Sequence, residues 1–437
     1  MPHDTIDCAI RFSRALLLAL SAIAAWSVRP AAAGGILLYE VGTADIGLAS
    51  AGYTARAQDA STVFTNPAGM TRLGGNQLTL GTQLLYADLK FSIADGTSPL
   101  LGTNDGGNPV GWFPGGGLFY SYSVSPDVKV GIAATGNFGL ALKYNDGWVG
   151  RYYAQEATLL GVSVLPSVAF RVNDKLSLGA SLNAMWGKFK TVVAVNNILG
   201  PDGKLEVDDN TWGWGGNLGL LYEASPGSRF GVTYNSPVKL DFSAPAQFSG
   251  LAPGVEALLR SRGLLNANVD LGMTVPQGVN ASFYHEVDPK WALLGSVGWQ
   301  QWSKFGEVDI GVSSDDPIAL TANRNYKDIW HAAVGAQYRV SDPYALMFGI
   351  AYDSAFQDNN NIPVALPANA AWRFGIGGQK EESKTFNWGW SIEYLYGGNL
   401  HTNISGHPVL IGGRGNLVGS FNNTGSLFLG ANFNWKL

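Results

Sequence analysis

Cysteine is nearly missing from this chain: the single one, Cys8, precedes an apolar leader, so the mature protein has neither disulfide staples nor a reactive thiol. Charge is scarce as well. Asp, Glu, Lys and Arg make up 14% of 437 residues and the formal net charge is −5, a mild value that points to no nucleic-acid role. Beyond the leader the histidines are His285, His331, His401 and His407, and no G-x-S-x-G motif accompanies them. A nucleophile with a positioned histidine is therefore not expected, and neither is enzyme activity. His401 and His407 share a long loop with Asn403, which reads as a solvated loop rather than a metal site. No cofactor and no metal are expected. After the leader, no apolar run reaches the ~20 residues of a spanning helix. The repeat near every ~40 residues that a propeller needs is also missing.

What is abundant is glycine, 57 residues, together with 14 Trp, 17 Tyr and 20 Phe. Glycine near twice the usual ~7% argues for turns and small inward positions. Arg11 and Arg14 precede the apolar run Ala15 to Trp26, and Ala31-Ala32-Ala33 supplies a cleavage site, so residues 1–33 read as a secretory signal. Residues 34–76 are rich in small side chains and show no period-2 pattern. They read as a plug of short helices and turns, too small to hold a core unaided. Within it, Asn66-Pro67-Ala68 marks a fixed bend, because Pro67 lacks an N–H and keeps Asn66 out of the helical region.

From Gln77 to Leu437 apolar and small or polar residues alternate. Leu160, Val162, Val164, Val168 and Phe170 share one face; Gly161, Ser163, Ser167 and Ala169 share the other. The closing stretch sets Leu427, Leu429, Phe433 and Trp435 against Gly430, Asn432 and Asn434. Short turns such as Ser125-Pro126-Asp127 alternate with long connections, the pattern of periplasmic turns and extracellular loops. Trp291, Trp299, Trp302, Tyr338, Tyr344, Trp388 and Trp390 near strand ends read as interfacial girdles. The expected fold is an all-β membrane protein: a 14-stranded antiparallel transmembrane barrel over residues 77–437, with an N-terminal hatch. The expected location is the outer membrane of a Gram-negative bacterium.

Several stretches together resemble the FadL family, the outer-membrane long-chain fatty-acid transporters with their toluene-porin relatives. They are Gly34 to Glu40 with Gly47 to Gly52, Asp59 to Ala68, Gly131 to Ala141, Leu271 to Pro276 and Phe433 to Leu437. The resemblance implies a hatch motif at Asn66, Pro67 and Ala68, and a lateral opening at a kink in the third strand, Gly136, Asn137, Phe138 and Gly139. It implies passive uptake of a hydrophobic ligand (fatty acid, alkane or aromatic hydrocarbon) that leaves sideways into outer-membrane lipid. It also suggests ligand contacts for Lys327 and Lys188. Alternation places Lys327 in the lumenal phase with His331, but Lys188 in a lipid-facing phase. Independently, Pro253 to Gly263 reads as a loop helix with a Pro start and a Gly stop. Its Val255, Leu258 and Leu259, with Leu251, form an apolar surface suited to a ligand groove. A monomer is expected. Rival readings are a general hydrophilic porin and a surface adhesin or receptor.

Overall fold

A computed structural model describes residues 37–265, 267–313 and 318–437. The expected signal at 1–33, and Gly34, Gly35 and Ile36 of the expected hatch, lie outside the described residues. Where the sequence alternates, the chain forms long strands: β1 Gln77–Asp88, β2 Gly111–Ser123, β3 Val128–Lys143, β4 Glu156–Arg171, β5 Leu176–Val195, β6 Gly203–Ser225 and β7 Ser228–Asn235. They continue as β8 Gly278–Glu286, β9 Trp291–Gln300, β10 Ile329–Ser341, β11 Tyr344–Asp353, β12 Ala371–Ser383, β13 Phe386–Ile404 and β14 Leu417–Lys436. Each pairs antiparallel with its neighbours in sequence. The circle closes where β1 meets β14, from Gln77↔Lys436 to Asp88↔Gly425. Closure removes the free edges that lipid could not satisfy.

The two faces are inverted relative to a soluble sheet. Val168, Phe170, Leu178 and Leu182 are exposed on the outside, while Ser163, Ser167, Ser181 and Asn183 are buried within. On β2 the outward Trp112 and Tyr122 are both exposed, ten residues apart. That is about 33 Å along the strand. At the usual tilt it gives about 25 Å, the height of an outer-membrane apolar band. Trp291 and Tyr344 are likewise exposed, but Trp302 is not a girdle residue: it is 2% exposed and sits in a short helix, Trp302–Phe305, inside the lumen.

The extracellular loops carry structure that alternation in the barrel does not announce. Val238–Pro245, Asn268–Val275, Glu307–Ser313 and Ile318–Asn323 form a separate antiparallel sheet in that order. Loop residues also turn inward: Trp148, Phe242, Trp302 and Phe356 share one apolar core with Leu140 of β3 and Phe421 of β14.

The segment before β1 packs inside the barrel as turns and short helices, Ala44–Leu48, Thr62–Thr65 and Pro67–Arg72, and is buried almost throughout. Its backbone comes against glycines of the wall. A Cβ at Gly231 would stand 2.0 Å from Thr54 O, one at Gly349 1.9 Å from Leu48 O, and one at Gly179 2.4 Å from the Ala68 nitrogen. This close approach accounts for much of the glycine excess. Polar wall side chains then satisfy the plug's backbone: Gly52 N–H donates to Ser296 Oγ at 2.9 Å and Thr54 N–H to Ser282 Oγ at 3.1 Å.

Candidate functional site

The third strand is continuous towards β4 but not towards β2. The β3–β4 ladder shifts register between Gly136↔Val162 and Phe138↔Gly161, so Asn137 is a bulged residue. On the other side, the β2–β3 ladder ends at Gly117↔Thr135. Residues 137–142 are then all buried, where an alternating strand would show every second one to lipid. This half of β3 has turned into the lumen. Above it the chain rejoins, as Lys143 N–H donates to Pro109 O at 2.8 Å. The wall therefore has a window framed by residues 111–116 of β2 and 136–142 of β3. Its length along the strand is up to roughly 20 Å. It runs downward from the level of Trp112, within the apolar band.

The β2 rim suits an unpaired edge. Pro114 has no N–H to leave unsatisfied, and Thr135 Oγ1 donates to Gly116 O at 3.0 Å, closing the last rung. On the β3 side, the plug supplies the partner: Leu37 bridges Phe138, and Leu38 N–H donates to Asn137 O at 2.9 Å. Phe138 points inward, its ring edge-on to Phe305 at 6.0 Å.

Two cavities flank the Leu37–Tyr39 strap. One, about 60 Å³, touches Asn137, Leu38, Phe64, Met185 and Asn280. The other, about 70 Å³, has apolar walls that include Leu37, Trp302, Phe356 and Leu400, with Asp353 and Arg373 among its polar lining.

The plug motif is held on both sides. Asn66 Oδ1 accepts from Ala68 N–H at 3.1 Å, and its Nδ2 donates to Thr54 O at 2.7 Å and to Leu220 O of β6 at 3.0 Å. Pro67 opens the helical turn that follows. Nearby, Arg56 lies between Asp45 at 2.8 Å and Asp59 at 2.9 Å, all three buried. Burial opposes charge on Asp59, yet Arg56 and the Ser61 hydrogen bonds outweigh it and hold its carboxyl below the ordinary value. The stability this pair adds is complete above about pH 4, the unfolded value, and is lost as pH falls through the lowered one.

A family model described as "Outer membrane protein transport protein (OMPP1/FadL/TodX)" matches residues 22–403. This chain belongs to that family. The long-chain fatty acid transport protein of Salmonella typhi is 26% identical over 93% of this chain and 96% of its own length. The 47 kDa outer membrane protein of Pasteurella multocida is 28% identical over 84% and 87%. Among solved structures, a Pseudomonas aeruginosa FadL homologue superposes with a TM-score of 0.80 at 20% identity, covering 92% of this chain and 100% of its own. The P. putida toluene transporter TodX gives 0.67 at 15% identity, covering 91% and 98%. The family is one of outer-membrane transport proteins, and this chain is an outer-membrane barrel.

Within this FadL/TodX-family chain, the residues singled out from sequence fall into separate places. Asn66, Pro67 and Ala68 lie in the plug against β5 and β6; Gly136, Asn137, Phe138 and Gly139 lie on the β3 rim of the window. Lys327 does not belong to the strand whose alternation placed it in the lumen. It precedes β10, on the loop, and is exposed. Lys188 points out of β5 and pairs with Asp208 of β6 on the outer wall, the side its phase indicated. Neither lines either of the two cavities beside the strap. Lys327→Ala is therefore expected to leave fatty-acid binding within about twofold of the parent; a tenfold loss would return Lys327 to the site.

The loop helix forms at Pro253–Ser261, and Gly263 follows it at φ +66°. None of its residues is buried, and Leu258 is 52% exposed. Leu251 lies over Gly203 of β6. Leu251, Val255, Leu258 and Leu259 line neither lumenal cavity. What sequence reasoning missed is the β2 rim, signalled only by Pro114 followed by Gly115, Gly116 and Gly117.

Arg56→Met tests the plug's anchor. Leaving Asp45 and Asp59 buried without their cation costs on the order of 3–5 kcal/mol. Single-channel recordings are expected to show openings absent from the parent, with heat-modifiable barrel migration unchanged. A silent, folded variant would contradict the anchoring role.

Proposed function

We propose that this protein carries hydrophobic small molecules passively across the outer membrane, from the extracellular loops into the lumen and out through the β2–β3 window. The observation that carries the reading is the loss of β2–β3 pairing above Gly117↔Thr135, together with the unbroken burial of residues 137–142. An ordinary porin has no use for a wall that opens into lipid. The same feature gives a hydrophobe an exit that avoids water.

The apolar core beneath the loops and the Phe138–Phe305 contact supply a lining for such a ligand between the entrance and the window. The names of the relatives add fatty acids and toluene as ligand types of those proteins, which fits a long-chain or aromatic hydrocarbon-like cargo here. Membrane lipid receives the cargo, and a single barrel suffices for the route. The loop helix at Pro253–Ser261, with Leu258 turned to solvent, supports an initial landing place at the extracellular surface. The deciding measurement is uptake of a labelled hydrophobe by cells expressing a variant whose window is closed, with surface expression measured beside it.

A further inference from the structure

Five ionisable side chains from five separate elements meet beside the larger apolar-walled cavity. Arg373 of β12 contacts Glu40 of the plug strap, Asp353 of β11 at 2.6 Å and Glu393 of β13 at 3.2 Å. Asp353 also holds Nδ1 of His331, from β10, at 2.7 Å. Four of the five side chains are at most 5% exposed, and Asp353 is 13% exposed. Three carboxylates thus share one guanidinium, and even a protonated His331 leaves no surplus positive charge. Glu40 Oε2 and Glu393 Oε2 have no hydrogen-bond partner among the described residues. Among the described residues, Arg373 is also the only cation lining either of the two cavities.

We infer that this site takes the polar end of an uncharged hydrophobe bearing a hydroxyl, a long-chain alcohol, and discriminates against carboxylates. The inference rests on the transport reading above and names the substrate class for it. A hydroxyl offers one donor and two acceptor lone pairs. Arg373 and Asp353 are the members of the cluster that line the cavity. The hydroxyl can accept from Arg373 Nη2, which makes none of the contacts just described, and donate to Asp353, while Glu40 and Glu393 behind them set the charge. A carboxylate offers acceptors only. It would bring a fourth negative charge into a buried site whose one guanidinium is already shared three ways, and burying an uncompensated charge is strongly unfavourable. Lys327 and Lys188, on the loop and on the outer wall, supply no second cation.

The test uses the full mature chain in lipid nanodiscs at pH 8, with empty discs as background. The probes are radiolabelled 1-dodecanol, methyl dodecanoate and dodecanoic acid, which share a chain and differ at the polar end. The alcohol is expected to bind at least tenfold more tightly than the acid, with the ester between them. Glu393→Gln removes one charge from the cluster, and it is expected to strengthen acid binding at least threefold while the alcohol stays within twofold. Acid binding equal to or tighter than alcohol binding in the parent would overturn the inference. So would an unchanged acid-to-alcohol ratio in a folded Glu393→Gln; if that variant does not fold, the parent ratio decides alone. Should none of the three bind above background, the lumenal site fails and the transport reading with it. An acid preference would sink only the hydroxyl selectivity.

Discussion

Deleting Asn137 is expected to cut uptake of a hydrophobe at least tenfold while the barrel still inserts and folds. Asn137 is the extra residue at the register shift, so its removal lets Phe138 follow Gly136 in an unbroken ladder. The phases then agree along the strand. Thr135, Phe138, Leu140 and Leu142 face inward and Gly139 and Ala141 face outward, which is the alternation the rest of β3 already follows. The straightened strand can extend its pairing with β2 above Gly117, adding backbone hydrogen bonds worth about 1 kcal/mol each. Stability should therefore hold or rise.

Transport should not hold. Passing a chain of about 12 carbons through water instead of directly into lipid forfeits about 10 kcal/mol, far more than any single polar contact on a route through the plug. Gly136→Val is the milder companion, since a Cβ there meets nothing within 4 Å. Gly139 is a poorer place for the same change, because a Cβ would lie 3.1 Å from Leu159 O and 2.7 Å from Leu160 Cδ2. A heat-modifiable, surface-expressed deletion variant with parental uptake would exclude the lateral route. The cargo would then have to pass through the plug to the periplasm.

Removing residues 37–70 should turn a quiet barrel into a conducting one. A barrel of eight strands is filled by its own side chains, whereas 16 strands leave an aqueous channel; fourteen strands fall near the second limit. Here the filling comes from the plug, and the wall glycines at its contacts have no side chains to replace it. The deletion also strips Arg229 of its acceptors Ala55 O and Arg56 O and Arg373 of Glu40, so water must enter to solvate them. Planar-bilayer recordings are expected to show a steady open conductance where the parent shows none. An unchanged conductance would mean that the loops, not the plug, seal the lumen. Replacing Asn66 and Pro67 with Ala is gentler, removing the two Nδ2 bonds to Thr54 O and Leu220 O, and should give intermittent openings rather than a permanent one.

The barrel could be read from the chain because its cause is local. In a wall with lipid on one side, neighbouring residues face opposite solvents, so Val162 and Ser163, or Phe433 and Asn434, already declare their sides in sequence. The bend likewise has local roots, and the bulge falls inside Gly136–Gly139 for that reason. The partner rim of the window did not show itself, because whether residues 111–116 are paired depends on where a different strand goes. Phase also misleads at strand ends. Lys327 shares the parity of His331, but the strand begins at Ile329, and beyond its hydrogen bonds parity has no force; Trp302 reads as a girdle residue until its helix folds inward. The charge cluster is the extreme case. Glu40, His331, Asp353, Arg373 and Glu393 carry no common spacing, and only closure of the barrel around the plug strap brings them to one guanidinium. The balance of charge that decides what the site will accept is therefore a property of the closed circle of strands, not of any stretch of chain.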